Sequence, residues 1–113
     1  MNRAALGAIL AAGFALSLAA RPAEVMAAPP LPAGARPAGD DTYVSPRGLR
    51  ETIRHYTRQL ARRGAAHEAI PLYRVRGVEI ARFIARDDGL SWLAIHVYRH
   101  QGTTFIAIIP RPP

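Results

Sequence analysis

Residues 45–64 read SPRGLRETIRHYTRQLARRG, and this stretch decides the fold. Large apolar residues recur there at spacings of four, three and four: Leu49, Ile53, Tyr56 and Leu60. At about 100° per residue these side chains form one apolar stripe on a helix. Ser45 is a favoured N-cap, Pro46 is favoured at the first helical position, and Gly64 suits the C-terminal end. The stretch therefore predicts one amphipathic helix from Pro46 to just before Gly64.

Arginines cluster on the other side of this helix, at Arg47, Arg50, Arg54, Arg58 and Arg62. One interpretation is a solvated helix face on which Glu51 forms local ion pairs with neighbouring arginines. The other is an anion-binding ridge for a phosphate-rich glycolipid, an anionic phospholipid, a nucleic acid or an acidic partner. The planar guanidinium group is suited to bidentate contacts with phosphate. The pattern leaves both interpretations open.

The chain after the helix alternates between apolar runs and turns. A connector, residues 64–71, is followed by runs at residues 72–75, 78–86, 90–99 and 103–109. The runs are separated by Gly77, by Asp87-Asp88-Gly89 and by a turn containing Gly102, which are typical of antiparallel hairpins. We therefore expect an α+β fold in which one amphipathic helix packs on a three- or four-stranded antiparallel sheet.

The run at residues 90–99 is apolar on both faces of a strand. Strict alternation places Leu93, Ile95 and Val97 on one face, where the helix can cover them. The predicted core is Leu49, Ile53, Tyr56, Leu60, Leu93, Ile95 and Val97, with either Ile106 and Ile108 or Phe105 and Ile109. The other face carries Trp92, His96 and Tyr98. Because one helix covers only one face, these three residues are candidate binding residues, either exposed or covered by another chain.

The N-terminal residues have the pattern of a secretory signal peptide. Met1-Asn2-Arg3 is basic, residues 4–20 are almost entirely small and apolar, and Val25-Met26-Ala27 resembles a cleavage site. An uncleaved anchor is the alternative, although the 17-residue run is shorter than the roughly 20 residues that a spanning helix needs. We expect residues 1–27 to be removed near Ala27 and the protein to be exported, to the periplasm or the cell exterior.

The remaining chain divides by composition. Residues 28–42 are rich in Pro, Gly and Ala and predict a disordered tether, residues 43–110 form one small α+β domain, and residues 111–113 form a tail. The chain contains no cysteine, so disulfides cannot stabilise a domain that is small enough to be marginal. We therefore expect a homo-oligomer or a partner protein to supply stability.

The net charge and the absence of known motifs limit the classes of function that the sequence favours. All 15 basic residues are arginine and the net charge is +7, which would attract an anionic surface such as a membrane. Export argues against a nucleic-acid partner. The sequence has no catalytic, cofactor or metal-binding motif, and His96 and His100 lie too far apart along one strand to share a metal. These features favour a binding protein over an enzyme.

Three functions remain open. The first is a small exported binding or assembly protein that makes protein contacts through the open sheet face. The second is a binder of anionic envelope surfaces, lipid or glycolipid, that uses the arginine-rich helix face. The third is a small hydrolase or metal-handling protein in which His96 and Glu79, on neighbouring strands, form an acid–base pair beside Tyr98.

Overall fold

The computed structural model describes residues 28–112; the expected signal peptide and Pro113 lie outside the described residues. One helix packs on a six-stranded antiparallel sheet in the order β1-β2-β6-β5-β4-β3. The elements are β1 (Arg36–Gly39), β2 (Thr42–Val44), α1 (Leu49–Arg63), β3 (His67–Val75), β4 (Val78–Ala85), β5 (Trp92–His100) and β6 (Thr103–Pro110). The predicted α+β class is confirmed, but the sheet has six strands rather than three or four.

The two additional strands come from the segment that was predicted to be a tether. β2 pairs with β6 from Thr42 opposite Ala107 to Val44 opposite Phe105, and β1 pairs with β2. The backbone N–H of Ile108 donates to the Asp41 carbonyl at 2.9 Å. Composition predicted disorder here, but the outer edge of β6 presents backbone groups that need partners, and this segment supplies them.

The proline-rich residues before β1 also contact the domain. Pro29 and Pro32 are buried, and Ala28 and Leu31 pack against the core. His55 Nε2 donates to the Pro30 carbonyl at 2.7 Å. A polyproline-like segment therefore lies against the helix instead of extending freely from it.

The helix starts later than the sequence predicted. It begins at Leu49 with Gly48 as N-cap, and no side chain caps it. Ser45 instead stabilises the preceding turn, because its Oγ accepts a hydrogen bond from the Arg47 backbone at 3.1 Å and lies 2.8 Å from Thr52 Oγ1. Gly64 ends the helix as predicted, with φ 64° and ψ 28°, in the left-handed region that glycine tolerates best.

A bulge in β5 changes which residues form the core. Trp92 pairs with Pro110 and Ala94 with Ile109, so Leu93 is the additional residue between them. A bulge reverses the alternation of side chains that precede it. Trp92 is consequently 1% exposed and lies in the core, whereas Leu93 is 37% exposed. The predictions that Leu93 is a core residue and that Trp92 lies on the open face are both wrong.

The rest of the core follows the predicted stripes. Its buried members between helix and sheet include Leu49, Tyr56, Leu60, Phe83, Leu90, Ile95, Val97 and Ile106. Ile53 and Ile108 are partly buried and pack against them, so the alternative containing Ile106 and Ile108 is the correct one. Burial raises the pKa of the Tyr56 hydroxyl, and nearby Tyr43 raises it further. Tyr56 therefore stays neutral in the core.

The remaining differences concern the connector and the tail. β3 begins at His67, inside the expected connector, and Pro71 lies at an irregularity between Ile70 and Tyr73. This position suits proline because β3 is an edge strand. Arg111 in the expected tail donates through Nε to the Leu90 carbonyl at 2.8 Å. The start of the tail is thereby held against the β4–β5 loop.

Candidate functional site

The face of the sheet opposite α1 is covered by no helix among residues 28–112. Its side chains form three rows that run across the strands. From β3 to β2 these rows are Tyr73, Ile80, Tyr98, Phe105 and Val44; Ile70, Arg82, His96, Ala107 and Thr42; and Glu68, Ile84, Ala94 and Ile109. We call these three rows the open face.

The open face is apolar along most of its length. Most of its apolar side chains are only half-buried, and Tyr73 is 36% exposed. The rings of Tyr98 and Phe105 stack with centroids 5.3 Å apart and an interplanar angle of 18°. Small monomeric domains rarely expose a continuous apolar surface of this kind, and such a surface is typical of an interaction site.

A polar pair lies in the middle of this apolar surface. Arg82 and His96 are directly opposite one another on β4 and β5, and Arg82 Nε donates to His96 Nε2 at 3.2 Å. His96 must therefore be neutral, with its proton on Nδ1, because a protonated ring has no acceptor. Burial lowers the His96 pKa, and the Arg82 charge lowers it further. Among the described residues, no carboxylate lies within ion-pair distance of Arg82.

The His96 environment predicts a pH dependence of stability. The ordinary histidine pKa is about 6.5, and the folded protein holds the His96 pKa below it. The unfolded chain thus binds more protons, and the free energy of unfolding should fall as the pH drops from about 7.5 to 5. Urea unfolding at several pH values measures this. His96→Gln, which keeps an acceptor for Arg82, should show a smaller fall, and an equal fall in both proteins would contradict the assignment.

The three candidate binding residues that were predicted on the sheet do not all lie on the same face. His96 and Tyr98 lie on the open face, while Trp92 is buried in the core. Arg82 and Phe105, which contact His96 and Tyr98 on the open face, were missed as site residues. Their role depends on strand register, which turn length and apolar alternation constrain but do not fix.

The predicted acid–base pair is not assembled. Glu79 lies opposite Arg99 and alternates with Ile80 on β4, so it points away from the face that carries His96. Its carboxylate instead forms ion pairs with Arg99 and with Arg74, the latter at 3.8 Å. The Glu79 and His96 side chains are therefore on opposite faces of the sheet. Within residues 28–112, no group of three or more His, Asp or Glu side chains is arranged to hold a metal ion.

The arginines of the helix region are all exposed, but they do not form one straight row. Arg47 lies before the helix, and the other four are on α1. Residues four apart on a helix are displaced by about 40° around the axis, so the row turns from Arg50 to Arg62. Arg47, Arg54 and Arg58 surround Glu51 in a hollow of about 230 Å³. In the described part of the chain, none of the five forms an ion pair, so the local pairing with Glu51 that the solvated-face interpretation allows is not observed there.

Comparisons with known proteins supply no relative. No protein family matches the sequence, and neither characterised proteins nor solved structures give a significant match. Within residues 28–112, no helix has the length and apolar character needed to cross a membrane.

Proposed function

We propose that the protein is a small exported binding or assembly protein whose open face docks against a second copy of the same chain. The observation that carries this proposal is the continuous apolar surface of three cross-strand rows, half-exposed and opposite the helix. Burying such a surface against another apolar surface is favourable in proportion to the area removed from water. A different protein is the alternative occupant.

The dimensions of the open face fit a dimer interface. Its four long strands, at about 4.8 Å spacing and about 3.3 Å per residue, give a plan area of roughly 500 Å². The accessible area of its side chains exceeds this plan area, and β1 and β2 extend the face. A standard stable interface buries about 800 Å² on each partner. The four long strands alone supply less than this, so the relief of the side chains and the added width of β1 and β2 are needed to reach the area of a standard interface.

The charges on the open face also allow pairing between identical copies. Glu68 lies opposite Ile84, and Arg82 lies opposite Ile70, so Glu68 and Arg82 are diagonal neighbours on the same face. A two-fold axis in the interface plane, passing between them, brings the Glu68 carboxylate of each copy towards the Arg82 guanidinium of the other. In the single copy, Glu68 forms an exposed ion pair with Arg86. An exposed ion pair contributes little stability, so replacing it by a pair with Arg82 of the other copy costs little.

Dimerisation would also supply stability that a small domain without disulfides needs. The domain is small and its sequence contains no cysteine, although exported domains of this size commonly depend on disulfides. The N-terminal pattern supports export to the periplasm or the cell exterior. An interface formed by the open face would add apolar burial that a single copy lacks.

A single introduced cysteine tests the proposal, because the chain has none of its own. Ile84→Cys lies on the open face beside the proposed axis, and Ala61→Cys lies on the exposed surface of α1. Both variants are purified after export and treated with a short bis-maleimide reagent. We expect a covalent dimer from Ile84→Cys and a monomer from Ala61→Cys. If Ile84→Cys reacts with the reagent but remains monomeric, the proposal is wrong.

A further inference from the structure

We propose that the start of α1 and the irregular part of β3 form a second surface, which docks onto an anionic phospholipid bilayer. This surface consists of Arg50, Ile53, Arg54, Pro71 and Leu72, and we call it the basic groove. The residues of the basic groove are distinct from those of the open face. The inference therefore does not depend on dimerisation.

The basic groove is a shallow hollow with apolar and cationic lining. Its volume is about 570 Å³, and its lining residues come from α1 and from the β3 segment that contains Pro71. Ile53 and Leu72 are half-buried in its wall and pack against the edge of the core. Arg50 and Arg54 are one helical turn apart and exposed. Apolar side chains thus lie directly beside two guanidinium groups.

The two arginines of the basic groove are available to a ligand. Within the described residues, neither Arg50 nor Arg54 forms an ion pair. An adjoining hollow contains two acidic residues, of which Glu79 is already paired with Arg74 and Arg99. The other, Glu51, forms no ion pair within the described residues and is outnumbered by the arginines around it. Arg47 and Arg58 lie next to Arg54 around Glu51 and increase the local positive charge. The charge of this region therefore favours an anionic partner.

The mixed chemistry of the basic groove fits a membrane surface. Arginine can contact a phosphodiester through two parallel hydrogen bonds. Basic residues close to an anionic bilayer each add attraction, and adjacent apolar side chains can enter the headgroup region. An isolated phosphate would use the arginines but not Ile53 and Leu72. An anionic phospholipid bilayer uses both.

Vesicle co-sedimentation of the full exported chain tests the inference. The vesicles contain phosphatidylglycerol mixed with phosphatidylcholine, or phosphatidylcholine alone. We expect binding to the anionic vesicles and none to the neutral ones. Arg50→Gln/Arg54→Gln should weaken anionic binding by roughly 30-fold, since each basic residue near such a surface contributes roughly fivefold. Arg50→Glu/Arg54→Glu should weaken it further, because it also adds two negative charges.

A matched control distinguishes binding through the basic groove from a general effect of net charge. Arg62→Glu/Arg76→Glu changes the net charge equally but alters exposed residues outside the basic groove that also form no ion pair within residues 28–112, and it should weaken binding far less. Leu72→Ser should weaken the binding that persists at high salt, where charge attraction is screened. Equal loss in both double variants, or unchanged binding in Arg50→Glu/Arg54→Glu, overturns the inference. It is also overturned if the chain ignores anionic vesicles and binds short duplex DNA through Arg50 and Arg54.

Discussion

Trp92→Ala should lower the free energy of unfolding by about 3–5 kcal/mol, whereas Leu93→Ala should lower it by less than about 1 kcal/mol. Trp92 is 1% exposed within the core, and its neighbour Leu93 is 37% exposed. Removing the indole leaves a large cavity between helix and sheet. Small domains are stable by only about 5–15 kcal/mol, so the Trp92 variant should be largely unfolded at moderate urea concentrations.

Urea unfolding followed by circular dichroism measures both variants, because Trp92 is the single tryptophan and its variant has no indole fluorescence. The pair tests the β5 bulge directly. Without the bulge, strict alternation would place Leu93 with Ile95 and Val97 and would move Trp92 to the open face. Leu93→Ala would then be the more damaging change, and that result would contradict the structure.

Tyr98→Arg should convert the proposed dimer into a monomer while leaving the domain folded. Tyr98 lies in the first row of the open face, stacks on Phe105 and is half-buried. An arginine there would add a positive charge to the proposed interface, diagonal to Arg82 on the neighbouring strand. Burying an unpaired charge costs several kcal/mol, and each 1.4 kcal/mol is about tenfold in affinity. The dimer dissociation constant should therefore rise by at least about 100-fold.

Ala61→Arg is the matched control for Tyr98→Arg, since it adds the same charge on the exposed surface of α1. Sedimentation velocity over a range of concentrations gives the dissociation constants, and circular dichroism verifies that both variants fold. The control should dimerise like the parent protein. Dimerisation of Tyr98→Arg at the parent concentration would show that the open face is not the interface.

The helix and the central strands could be predicted because their signals are local. The apolar stripe from Leu49 to Leu60 contains its own periodicity, and Gly64 marks the end of α1. Ile95 and Val97 alternate correctly because they follow the bulge. The same alternation misplaced Trp92 and Leu93, since the bulge inserts one residue into β5 without changing the local composition.

The strands β1 and β2 could not be predicted because their pairing is non-local. Thr42 lies opposite Ala107, far along the chain, and nothing near residue 42 indicates that partner. The sequence predicted an open apolar sheet face, but not which residues meet on it. Its central pair, Arg82 with His96, depends on the register between β4 and β5, as does the position of Glu79 on the opposite face. Pattern reasoning identifies strands more readily than it identifies the residues that meet across them.

The mass of the domain in solution tests the proposed role of the open face most directly. Light scattering coupled to size-exclusion chromatography, performed on residues 28–113 over a range of concentrations, gives this mass without labels. A dimer that dissociates in Tyr98→Arg and persists in Ala61→Arg is the expected result. A stable, soluble monomer at all concentrations would contradict the proposal that a second copy covers the open face.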